Sequence, residues 1–141
     1  MTKINFISKK ILDWDWSISG QSVCDPKPVK RAYELLNHSE SLITDYSSSF
    51  ELSDALSNLK RALNQRLKLI EKTYNLKSVK FYDCPKGYLE LLEKYGLARP
   101  YLIKILMEIR NKIEHEDAEP PNINRCKELV DVTWYFFKIN R

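Results

Sequence analysis

The stretch Glu51-Leu52-Ser53-Asp54-Ala55-Leu56-Ser57-Asn58-Leu59-Lys60-Arg61-Ala62-Leu63-Asn64-Gln65-Arg66-Leu67-Lys68-Leu69-Ile70-Glu71-Lys72-Thr73-Tyr74 decides the fold class. Leu52, Leu56, Leu59, Leu63, Leu67, Ile70 and Tyr74 recur at steps of three and four. That spacing keeps side chains on one face of a helix with about 3.6 residues per turn. A strand would need a period of two. The stripe therefore predicts a helix over about 51–75, long enough to be the central member of an antiparallel bundle. A Ser, Asp or Asn near Ser47-Ser48-Ser49 is placed to cap its start.

Glycine and proline mark where the helical blocks on either side end. They fall in four clusters: Gly20 with Pro26 and Pro28, Pro85 with Gly87, Gly96 with Pro100, and Pro120 with Pro121. Both residues interrupt helices, so each cluster is a boundary. Before the leucine stretch, Pro28 suits a helix start, and Val29, Ala32, Tyr33, Leu36, Ile43 and Tyr46 lie close to one face. His38 falls on the polar side of that block and reads as a solvated residue. After it, Leu76 to Asp83 reads as an irregular link, followed by a short helix over Tyr88–Tyr95 that Gly96 ends. Pro100 opens another helix with Leu102, Leu106, Ile109 and Ile113 inward. A last helix starts at or beside Asn122, with Cys126, Leu129, Val130, Thr133, Phe136 and Phe137 on its apolar face. Trp134 and Tyr135 widen that face beyond what one core needs. A dimer interface through Trp134 and Phe137 is the expected use of the surplus.

These blocks predict an all-α protein, a four- to five-helix up-and-down bundle over residues 28–141. Residues 1–27 stand apart as an N-terminal arm. Asp13-Trp14-Asp15-Trp16-Ser17-Ile18 alternates polar and apolar, which suits an extended segment anchored by its tryptophans. That arm either packs on its own bundle or contributes to a dimer contact.

Composition narrows the function classes. A chain of 141 residues with 43% hydrophobic side chains and three tryptophans can bury a core as one domain without metals or disulfides. Cys24, Cys84 and Cys126 are odd in number, widely spaced and without a C-x-x-C pair. Neither a zinc cluster nor a disulfide framework is expected, nor any cofactor, and the cysteines suit a reducing cytoplasm. The first ten residues break their apolar positions with polar ones, so no signal peptide and no membrane span is expected. A net charge of +4 permits phosphate binding without requiring it.

The richest chemistry lies in Arg110-Asn111-Lys112-Ile113-Glu114-His115, which closes one apolar block before the double proline. Arginine offers a fixed fork of donors for phosphate and stays charged. Histidine titrates near neutrality and can take or give a proton. Together they suit transesterification of an RNA phosphodiester without a metal, with Asn111 positioning the ligand or the histidine four residues on. Lys60, Arg61, Arg66 and Lys68 run from position 60 to 68 without an intervening acid and read as an RNA-backbone surface or as an ordinary solvated face.

Two physical facts oppose a site complete within one helix. Arg110 and His115 are five residues apart, roughly 140° around an ideal helix. Glu108, Glu114, Glu116, Asp117 and Glu119 surround the motif and repel phosphate unless basic groups from elsewhere offset them. An ordinary i,i+4 pair between Arg110 and Glu114 is the plain alternative.

Arg110, Asn111 and His115 resemble the R-x(4–6)-H motif of HEPN domains, in which a polar residue commonly follows the arginine. The surrounding Ile109–Pro121 passage, Arg125–Val130 and the Leu59-Lys60-Arg61-Ala62-Leu63 helix are also similar to prokaryotic members, over about residues 29–140. The resemblance implies a helical bundle that pairs as a homodimer, with two motifs facing each other in a composite cleft. It implies metal-independent RNA cleavage that leaves a 2′,3′-cyclic phosphate. Arg110 would stabilise the phosphate, Asn111 would position it and His115 would move the protons. It further implies a role as toxin or phage-defence effector, with an antitoxin of nucleotidyltransferase type. One related subgroup carries a modifiable tyrosine two residues after the histidine; Asp117 stands there in this chain. The alternative is a non-catalytic helical module that binds a partner protein or a nucleotide.

Overall fold

Most helix boundaries trace to a local cause in the sequence, although the first helix starts at Pro26, two residues before the expected Pro28. A computed structural model describes residues 26–78, 83, 85–96 and 98–139. Among these residues five helices follow one another: α1 over Pro26–Thr44, α2 over Ser49–Tyr74, α3 over Tyr88–Lys94, α4 over Tyr101–Glu116 and α5 over Ile123–Ile139. A short 3-10 turn at Leu76–Ser78 follows α2, and no strand occurs among the described residues. The protein is an all-α helical bundle. The arm expected over residues 1–27 falls almost wholly outside the described residues, as do Cys24 and Cys84.

The start of α2 is set by a capping box. Ser48 is the N-cap, and the Glu51 carboxylate accepts hydrogen bonds from the N–H of Ser48 (3.3 Å) and of Ser47. Orphan donors of the first turn are thereby satisfied. These bonds from Ser47, its backbone N–H first, hold the Glu51 carboxyl below the usual glutamate range. At the other end, Asn75 takes the left-handed conformation (φ 43°) and its N–H closes on the Glu71 carbonyl. Gly96 ends α3 in the same conformation (φ 70°), where a side chain would be strained. Pro100 precedes α4, and Asn122 starts α5 by accepting the Arg125 N–H at 3.0 Å.

The core gathers around α2, which touches α1, α4 and α5. Its buried positions are Leu52, Ala55, Leu56, Leu59, Ala62, Leu63, Arg66, Leu69 and Ile70. The expected stripe holds at Leu52, Leu56, Leu59, Leu63 and Ile70 and fails at Leu67 and Tyr74. Leu67 is only partly buried and Tyr74 is exposed, while Arg66 and Leu69 take the inward positions. Ala55, Ala62, Arg66 and Leu69 lie on one flank of the stripe at about 100° per residue, so the buried arc extends toward the alanine side. On α4 the inward line runs through Ile103 and Leu106, with Leu102 37% exposed. On α1, Ala32, Leu35, Leu36 and Ile43 are buried, and Tyr46 lies past the helix end in the link to α2. The apolar face expected for α5 is buried from Cys126 to Phe137.

Polar groups in this core are answered locally. Ser39 and Thr133 are buried and donate to the carbonyls of Leu35 (2.9 Å) and Leu129 (2.8 Å), four residues back. The small α3 contributes Leu89 and Leu92 to the core. Lys104 of α4 holds α3 in place through Glu90 (3.3 Å) and Glu93 (3.5 Å). Cys126 is buried and has no disulfide, and burial pushes its thiol up to about 11, which leaves it a small packing residue at neutral pH. Among the described residues no helix is long and apolar enough to cross a membrane.

Candidate functional site

The helix α4 runs through Glu116 before Asp117 turns left-handed (φ 52°), with the Ala118 N–H reaching back to the Lys112 carbonyl (3.3 Å). All six motif residues are thus helical, and the last turn does not loosen in time to bring Arg110 and His115 together. At about 100° per residue, Arg110 shares the inward side with Leu106, whereas His115 points away from it. Burial agrees: the Arg110 side chain is 19% exposed and His115 is exposed. Within one chain the two groups do not face a common ligand.

Arg110 is paired with Glu114, one turn on, so the ordinary i,i+4 ion pair is formed. The pair leaves Arg110 Nε buried and without a hydrogen-bond partner. Glu108, Glu116, Asp117 and Glu119 are exposed around the helix end. The acid closest in effect is therefore Glu114.

Lys60 reaches this motif from α2. Its Nζ donates to Asn111 Oδ1 at 2.9 Å, a contact between residues 51 apart in sequence. Lys60 lies beside the leucine stripe on the flank that meets α4. Burial, and then the neighbouring Arg110 guanidinium, hold its ammonium below the usual lysine range. Two cations and one carboxylate thus meet between α2 and α4, with Asn111 held by one of the cations.

The other three basic residues do not join them. Arg61 and Lys68 are exposed, about 20° apart on the far side of α2, and among the described residues Arg61 bonds only its neighbour Asn58 at 3.4 Å. Arg66 is 8% exposed, a core residue rather than part of a surface. It donates to the Phe137 carbonyl (3.3 Å), and its guanidinium lies 5.8 Å from the Phe137 ring centre. Phe137 is near the end of α5, where carbonyls lack helical partners and the helix dipole favours a cation. Arg66 therefore serves the end of α5. The run from 60 to 68 is not one positive surface.

The two expected interface residues also part. Trp134 is 43% exposed, stands edge-on to Tyr135 at 5.2 Å and carries Lys138 Nζ over its ring at 4.8 Å. Phe137 is 0% exposed and packs edge-on against Tyr33 of α1 at 5.2 Å. It has no area to offer a partner, so the exposed apolar surface of α5 is carried by Trp134 and Tyr135. The signal that could have separated them is position: Phe137 falls on the line of Cys126, Val130 and Thr133, and Trp134 does not. The contacts Lys60–Asn111 and Arg66–Phe137 join distant segments and leave no mark in either segment alone. No family model, no curated protein and no solved structure matches this chain.

Proposed function

We propose that the protein is a metal-independent endoribonuclease of the HEPN type, acting as a toxin or defence effector through a cleft composed of two copies. The observation that carries this reading is the arrangement on α4 within an all-helical bundle. A half-buried arginine, an asparagine held by a lysine from another helix and an exposed histidine lie within six residues. Arg110 would neutralise charge on the non-bridging phosphoryl oxygens of the scissile phosphate. His115 would take the proton of the ribose 2′-hydroxyl as its oxygen attacks phosphorus, or return a proton to the departing 5′-oxygen. Asn111 would position the phosphate, and exposed Arg61 and Lys68 could only meet RNA strand running over the far side of α2. Because Arg110 and His115 diverge on one helix, the arginine of one copy works with the histidine of the other. An antitoxin of nucleotidyltransferase type remains the partner class that the resemblance supports.

Purified protein is expected to cleave RNA in the presence of EDTA and to leave a cyclic phosphate end. His115→Ala, at an exposed position, should lose cleavage by about a hundredfold or more with an unchanged melting temperature. A variant that cuts as fast as the parent protein removes His115 from the chemistry.

The Arg110–Glu114 pair favours a second reading, since in a single copy the arginine is already engaged. In that reading the chain is a non-catalytic module that binds a partner protein or a nucleotide, the protein through Trp134 and Tyr135. It predicts no cleavage under any condition and a complex lost on Trp134→Ala. Phe137 is unsuitable for that test because its truncation would damage the core.

A further inference from the structure

The junction of α2 and α4 has an unequal charge count: Lys60 and Arg110 are cationic, and among the described residues Glu114 is the one carboxylate engaged with either. Asn111 receives the Lys60 ammonium and so fixes where that charge points. Both cations are partly withdrawn from solvent. Bringing like charges together there costs free energy that only an anion can recover. Glu114 recovers part of it, for Arg110 alone. Among the described residues the buried Nε of Arg110 still lacks an acceptor.

We propose that Lys60, Arg110 and Asn111 form one phosphodiester subsite between α2 and α4, and that the Glu114 carboxylate is its internal occupant, displaced when RNA binds. A carboxylate and a phosphate present similar oxygen pairs to a guanidinium, so Glu114 can occupy the place that a phosphodiester oxygen takes later. Lys60 is then a binding residue of the site, separate from Arg61, Lys68 and the buried Arg66. Glu114 sets a threshold: RNA must compete with a tethered carboxylate before Arg110 is released to it. This inference rests on the proposed RNA substrate but not on cleavage.

The test uses the full chain and a fluorescein-labelled single-stranded RNA whose 2′-hydroxyls are methylated, so that binding is read without turnover. Lys60→Met should weaken binding about tenfold, as loss of one charged phosphate contact does. It should also reduce the salt dependence by roughly 0.7 of a counterion. Lys60→Arg should restore most of the affinity. Glu114→Gln, which keeps the side chain's shape, should tighten binding about threefold or more. Lys127→Met, at an exposed position of α5 outside every proposed RNA contact, serves as the control for net charge. If Lys60→Met weakens binding no more than Lys127→Met, or if Glu114→Gln weakens it, the subsite is overturned. A melting curve for each variant separates lost binding from lost folding. A protein that binds this RNA in the expected order yet never cleaves unmodified RNA overturns the ribonuclease reading and leaves the subsite standing. One that cleaves without regard to Lys60 does the reverse.

Discussion

Arg66 shows how a residue's chemistry is decided by what lies opposite it. In the sequence it belongs to a run of cations, and a cation in such a run usually faces water. In the fold it is buried, bonds the Phe137 carbonyl and lies against the Phe137 ring. Removing it strands a carbonyl at the end of α5 and opens space in a packed region. Arg66→Ala is expected to destabilise the protein by roughly 2–4 kcal/mol, whereas Lys68→Ala should stay within about 0.5 kcal/mol. Urea unfolding followed by circular dichroism measures both. Equal midpoints for the two variants would mean that Arg66 does not close α5. The same consideration explains why the sequence could not separate Lys60 from Arg61. They are neighbours in the chain, and only the position of α4 gives Lys60 a partner on another helix, while Arg61 bonds within α2.

At the scale of the helix, local signals were the reliable ones. A capping residue near positions 47–49, Gly96 after α3, Pro100 before α4 and Asn122 before α5 all act within four residues and were legible, whereas the part of Glu51 in the cap came from the structure. Stripes were legible in kind but not in phase. Period alone cannot choose between Leu102 and Ile103, or between Leu67 and the Arg66–Leu69 pair, because neighbouring helices decide which adjacent residue lies at the centre. The cap of α2 yields a quantitative test. Ser48→Ala should cost about 1 kcal/mol. Glu51→Gln tests the carboxylate through pH. A folded-state pKa below the unfolded one means the carboxylate's bonds stabilise the protein above the ordinary glutamate range and cease to do so as pH falls through the lowered value. Glu51→Gln should therefore melt below the parent protein at neutral pH, and the difference should close under acid. A difference that persists unchanged at low pH would place the effect in something other than ionisation of Glu51.

For the whole molecule the decisive feature is the angle between Arg110 and His115. One copy offers an arginine on the inward side of α4 beside Lys60 and a histidine on the outward side. A second copy related by a two-fold axis would bring each kind of group to the other, and the exposed Trp134 and Tyr135 give α5 apolar area for such pairing. The motif's residue types were readable in sequence, but its incompleteness in one chain required the helix to continue unbroken through Glu116. That geometry gives a complementation experiment. Arg110→Ala and His115→Ala should each be inactive alone. When they are unfolded together and refolded, a mixed dimer pairs the intact arginine of one copy with the intact histidine of the other. Random reassortment makes about half the dimers mixed, each with one of its two sites whole, so roughly a quarter of the parent activity should return. Silence in the mixture, with mixed dimers demonstrated by mass, would show that the two groups do not act across copies. Since the helix separates them within a copy, they would then not act together on one phosphate at all.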